Sequence, residues 1–162
     1  EPLYRGGGQE RGLRSGGEAP ELAKNFAACL RQAALGREDF VARAKRARTE
    51  LVKTIVRDVP NVFVNEGRVQ ASHILNLSLP GRDTDYLVAL LDEAGFAVST
   101  KSACETDSQT GSRAVYTLSG DKERALTTLR ISWGSDVKER DFVDFAFALK
   151  KAINFVDNTI GR

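Results

Sequence analysis

The sequence predicts an α/β domain in which helices pack on one small mixed sheet. Three observations predict it. Apolar residues recur at helical spacing over 22–33, 40–55, 87–94 and 142–156. Short β-branched or alternating stretches occupy 61–65, 72–80, 96–100 and 127–133. The two kinds of segment interleave along the chain, which favours helices layered on a sheet over an all-helical or all-strand fold.

The bulk properties set the frame. A chain of 162 residues is one ordinary domain or part of a larger one. With 41% hydrophobic and 28% charged residues it can bury a core, and it has no apolar run long enough to cross a membrane. A formal net charge of +2 gives little support to a nucleic-acid partner. The N-terminus lacks the apolar stretch of a signal peptide. The two cysteines, Cys29 and Cys104, sit in unlike contexts and suggest no disulfide framework, so a reducing cytoplasm is expected. The chain has no methionine and opens on "EPLYRGGGQERG", which reads as a segment of a longer protein, a processed chain or a trimmed one.

Each element has its own warrant. Residues 1–19, rich in glycine and arginine, form an ordered loop or functional arm. A helix starts at Pro20, a residue suited to the first turn, and buries Leu22, Phe26, Leu30 and Ala33. Cys29 lies beside that stripe and is read as a core cysteine. Gly36 ends this helix, and a second runs over about 37–57 with Phe40, Ala44, Ala47, Leu51 and Ile55 on one face. Its arginines and lysines are interrupted by Glu38, Asp39 and Glu50, which marks a solvated face. "NVFVN" and "SHILNLSLP" are strands, the second alternating Ile74, Asn76 and Ser78 against Leu75, Leu77 and Leu79. A helix over 83–95 is capped by Asp83 or Thr84 and closed by Gly95. "FAVST" is a strand that leads into the cysteine loop, 101–113. A short helix over 112–120 has Ser112 as its cap and Gly120 as its stop. "TTLRISW" is a strand, and the last helix covers about 136–157.

Chemistry concentrates at few positions. Cys104 opens a run of small polar residues. A thiol works as a nucleophile only as thiolate, which Lys101 would favour and Glu105 oppose. The alternative is a chance exposed cysteine. The sole histidine, His73, could pair with Cys104 in a thiol enzyme, but an edge or surface histidine is the simpler reading. Two cysteines and one histidine, widely separated, make no zinc site. The glycines at 6–8 lack the strand and helix of a dinucleotide loop. The arm as a whole could approach a phosphate or carboxylate, or could be a disordered basic tail. Arg130 stands inside an apolar strand, where a charge needs a partner: a salt bridge or a small carboxylate ligand.

Four motifs in order, "GGGQERGLRSG", "HILNLSLPG", "SAC" and "LRISWG", resemble the C-terminal part of the cysteine desulfurases, pyridoxal-phosphate (PLP) enzymes of the class V aminotransferase-like group. The resemblance covers nearly the whole chain. It implies the small C-terminal domain of a PLP fold type I enzyme at 20–162, preceded by an arm at 1–19 from the large-domain and dimer-interface region. It implies removal of sulfur from L-cysteine, giving L-alanine and a persulfide on the enzyme for iron–sulfur cluster assembly or tRNA thiolation. By motif, Cys104 matches the persulfide-forming nucleophile and Arg130 the arginine that holds the substrate carboxylate. Gly17 falls where the family has a threonine on the cofactor phosphate, so a hydroxyl is missing there. Lys101 replaces a glycine of the family's "SGSAC", and Ser135 an arginine. The family's PLP lysine, in an "SxHK"-like motif, has no counterpart in this chain, which is therefore expected to be inactive by itself. The implied partners are the N-terminal half of the enzyme, a second copy in a homodimer and a sulfur-acceptor protein, with no membrane or nucleic acid. Other readings are a non-catalytic sulfur-carrier or interaction domain, and a related PLP enzyme such as a selenocysteine lyase.

Overall fold

The computed structural model describes residues 1, 4–100 and 111–159. The chain forms two compact units, Glu1–Asp39 and Phe40–Arg162. Helix α1 runs from Pro20 to Asp58 and contributes to both. The second unit continues with β1 (Phe63–Val64), β2 (Ile74–Ser78), α2 (Thr84–Glu93), α3 (Arg113–Ser119), α4 (Lys122–Leu126), β3 (Thr128–Ser132) and α5 (Glu139–Thr159).

In the first unit, residues 9–12 form a tight 3-10 turn, with Glu10 and Arg11 at positive φ. A single bridge between Tyr4 and Arg14 closes the arm on itself. The helix that follows does not stop at Gly36. That glycine keeps a helical conformation, without the left-handed φ of a C-cap, and good helix formers on both sides carry the helix through for about 1 kcal/mol relative to alanine. The stripe expected to be buried faces outward: Leu22 is 71% exposed, Phe26 69% and Leu30 58%. Cys29 is exposed with it, not a core residue. Helical spacing identifies an apolar face but not what covers it.

In the second unit the sheet order is β1-β2-β3, and every described pairing is antiparallel where a mixed sheet was expected. β2 is the central strand. Its alternation places Leu75, Leu77 and Leu79, with Leu129 and Ile131 of β3, in the core against Leu51 and Ile55 of α1, Leu87 and Leu91 of α2, and Phe145, Leu149 and Ile153 of α5. Leu75, Leu77, Leu79, Leu87, Leu91, Leu129 and Leu149 are fully buried. Phe145 meets Phe96 edge-on at 5.4 Å, and Trp133 meets Phe142 at 5.2 Å. The stretch 96–100 is not a full strand; it joins the sheet through one antiparallel bridge, Ser99 to Arg130.

The short helices are set by their caps. Asp83 accepts from the Tyr86 N–H at 3.0 Å and starts α2. Ser112 accepts from the Val115 N–H and starts α3, which Gly120 ends in the left-handed region at φ 68°. Asp121 then accepts from the Arg124 N–H at 3.1 Å and starts α4, a helix not expected from the sequence.

Candidate functional site

The leucine face of the sheet leaves an opposite face made of Asn76 and Ser78 on β2 and Thr128 and Arg130 on β3. Register sets the neighbours: Asn76 lies directly across from Arg130, and Ser78 across from Thr128. Directly opposed residues project to the same side with Cβ atoms about 5 Å apart. Ser78 and Thr128 are buried, whereas Asn76 and Arg130 are half-buried and remain reachable. Among the described residues Arg130 makes no ion pair. Arg130 stands between Leu129 and Ile131 of β3, and among the described residues no carboxylate pairs with it.

A closed hydrogen-bond network organises one end of this face. Asn65, just past β1, is buried. Its Oδ1 accepts from the Arg124 guanidinium at 2.5 Å, and its Nδ2 donates to Asn76 Oδ1 and to Ser78 Oγ, both at 2.7 Å. Ser78 Oγ donates in turn to the Arg124 carbonyl at 2.8 Å. The Arg124 guanidinium also lies 4.7 Å over the Phe63 ring, a cation–π contact that holds it in place. Sequence reasoning missed Asn65 and Arg124; the only signal was the polar alternation at Asn76 and Ser78.

Cys104 lies outside the described residues, as does all of 101–110. Both ends of that segment are fixed. At its start, the Arg130 N–H donates to the Ser99 carbonyl at 2.6 Å, and the Ser99 N–H donates back to the Arg130 carbonyl at 3.1 Å. Thr128 Oγ1 donates to the Thr100 carbonyl, and Thr100 Oγ1 to Asp85 at 3.0 Å. At its end, Gly111 is buried at φ 68°, where an added Cβ would fall 2.4 Å from the Ala125 carbonyl oxygen. The following Ser112 N–H donates to that same oxygen at 2.8 Å.

The remaining expected positions lie apart from this face. His73 is half-buried one residue before β2, its ring 5.3 Å from that of Phe40. Gly17 is exposed, and a Cβ there would meet nothing within 4 Å, so crowding does not explain the missing threonine. The one histidine is followed by isoleucine rather than lysine, and its ring packs on Phe40. These residues do not by themselves fit a covalently held PLP. A groove of about 1330 Å³ in the second unit, lined by Leu51 of α1, Phe142 and Phe147 of α5 and Trp133 just past β3, does not include Arg130.

No protein-family model matches the chain. An IscS-like cysteine desulfurase of Mycobacterium tuberculosis is 31% identical over 142 residues, 86% of this chain and 36% of that protein. A cysteine desulfurase IscS of Klebsiella pneumoniae is 32% identical over 163 aligned residues, 100% of this chain and 38% of its own length. Among solved structures, a NifS-like protein superposes with a TM-score of 0.77 at 25% identity, over 95% of this chain and 39% of its own. The chain thus spans little more than a third of the length of these relatives, and over that span it belongs to the cysteine desulfurases.

Proposed function

We propose that this chain is the sulfur-accepting segment of a cysteine desulfurase. In the reaction, the C–S bond of L-cysteine breaks and an S–S bond forms on Cys104. The thiol proton ends on the methyl group of L-alanine, so the products are alanine and a Cys104 persulfide. Arg130 holds the substrate carboxylate. PLP, when bound, supplies the electron sink for the substrate carbon; its lysine belongs to the part of the enzyme outside this chain. In the same reading the arm at 1–19, with Gly17 near the cofactor phosphate, lies at a homodimer interface. The persulfide is passed to an acceptor protein in the cytoplasm for iron–sulfur cluster assembly or tRNA thiolation.

The observation that carries this reading is the reciprocal hydrogen-bond pair between Ser99 and Arg130. It ties the root of the segment bearing Cys104 to the strand bearing Arg130, two positions that only the motif resemblance had connected. Cys104 lies five positions after Ser99, a reach of at most about 18 Å. A nucleophile within that reach can meet a substrate held at Arg130.

The test uses the enzyme with its PLP-bearing part. ³⁵S-labelled L-cysteine should label this chain, and Cys104→Ala should abolish both the label and alanine release. Arg130→Ala should raise KM for L-cysteine by an amount on the order of 2–5 kcal/mol in apparent binding. Label retained in the Cys104→Ala enzyme refutes the nucleophile assignment. Label acquired without alanine release would favour a sulfur carrier over a desulfurase.

A further inference from the structure

We infer that Asn76 is a second substrate-binding residue, which grips the carboxylate of L-cysteine together with Arg130; the inference rests on the desulfurase reading above. It follows from the direction of the hydrogen bonds around Asn65. A guanidinium can only donate, so the Asn65 atom facing Arg124 must be its oxygen. That fixes the Asn65 amide, and its NH₂ faces Asn76 and Ser78. Ser78 already donates its hydroxyl proton to the Arg124 carbonyl and therefore accepts from Asn65. The atom that Asn76 turns to Asn65 must also be an oxygen, because it meets a donor.

The chain of constraints leaves Asn76 with its NH₂ group uncommitted. Among the described residues nothing accepts its two protons. The register puts this group on the strand position opposite Arg130, on the same half-buried face. The pair therefore presents donors only: an amide NH₂ beside a guanidinium, with no carboxylate among the described residues to neutralise it. A small carboxylate has two acceptor oxygens and one negative charge, and matches this pair better than a neutral or cationic group does. The buried Asn65–Ser78–Arg124 network is then a positioning device. It keeps the Asn76 amide from flipping its oxygen toward the substrate.

The test is made in the enzyme with its PLP-bearing part, by kinetics on L-cysteine. Asn76→Leu removes the donors at similar volume, and Asn76→Asp replaces them with an anionic acceptor beside Arg130. The expected result is a rise in KM on the order of tenfold for Asn76→Leu and more for Asn76→Asp, with kcat changed far less. Because both side chains hold one carboxylate, the effect of Asn76→Leu should shrink in an Arg130→Ala background. A residue that only supports the fold would show the same loss in both backgrounds. KM within twofold of the parent for both variants, or full additivity with Arg130→Ala, overturns the inference. If Arg130→Ala itself leaves KM unchanged, the assignment of Arg130 fails first and Asn76 falls with it. If Arg130→Ala raises KM and the Asn76 variants do not, only Asn76 is removed from the site.

Discussion

Gly111 offers the sharpest stability test, because the structure separates two costs that usually come together. It sits at φ 68°, and so does Gly120. An alanine at either position incurs the left-handed penalty, about 1–2 kcal/mol. The surroundings differ. At Gly120 an added Cβ meets nothing within 4 Å. At Gly111 it would fall 2.4 Å from the Ala125 carbonyl oxygen, 2.5 Å from its carbon and 2.6 Å from the Leu126 nitrogen. All three are backbone atoms at the junction of α4 and β3, so they cannot swing aside as a side chain would. Overpacking of this kind costs about 1–3 kcal/mol. It would also strain the Ser112 N–H bond to the Ala125 carbonyl, worth about 1 kcal/mol. Gly111→Ala should therefore cost about 3–6 kcal/mol and Gly120→Ala about 1–2 kcal/mol. For a domain of this size, where 1 kcal/mol shifts Tm by about 2–4 °C, the two variants should melt clearly apart. Chemical denaturation followed by circular dichroism, with m-values compared, checks the difference. Equal destabilisation of the two variants would refute the argument that the Ala125 backbone fills the space beside Gly111.

Three further predictions use the same chain. Leu149→Ala, at a fully buried position on α5 against the sheet, should cost about 2–5 kcal/mol, read from the urea midpoint. Asn65→Ala removes the donor to Ser78 and Asn76 and the acceptor of the Arg124 guanidinium and should cost about 1–3 kcal/mol, with the Arg124 side-chain signals broadened in NMR spectra. The Asp58 carboxyl is held below its ordinary range, chiefly by the Arg57 hydrogen bond; desolvation opposes this, and the Lys150 hydrogen bond adds a smaller lowering. A carboxyl depressed in the folded state stabilises above its unfolded pKa, and this contribution disappears as pH falls through the lower folded pKa. An NMR titration should find the Asp58 midpoint below that of an unstructured aspartate, and Arg57→Gln should move it upward.

How far the sequence was legible depended on whether a signal was local. Asp83, Ser112 and Gly120 delimit α2 and α3 because caps and left-handed stops act within a few residues. The alternation in "ILNLS" correctly divides β2 into a leucine face and a polar face. Gly36 misled because a helical glycine costs only about 1 kcal/mol, less than a favourable continuation returns. Cys29 and its stripe misled for a different reason. The spacing is helical and the helix is there, but burial depends on what packs against it, which no local pattern specifies. The strand expected at 96–100 shrinks to one bridge, since only Ser99 pairs backbone to backbone with β3, while Phe96 and Val98 pack on the core.

The candidate site shows the same division. Arg130 is visible in the sequence as a charge in an apolar strand, and Cys104 as a thiol in a polar run. The network that orients Asn76 beside Arg130 is not. The hydrogen bond from Arg124 to Asn65 spans 59 residues, and the Ser78 contact with the Arg124 carbonyl spans 46. Neither has a local signature, because each depends on the register of β2 against β3 and on where α4 begins. Yet these long-range contacts set the chemistry of the face: reversing the Asn65 amide would reverse that of Asn76 and place an acceptor beside Arg130. A carboxylate ligand would then meet attraction from one side chain and repulsion from its neighbour. The residues that decide what the face can bind are thus two steps removed from it, and they would be invisible to any search confined to the motifs that contact substrate.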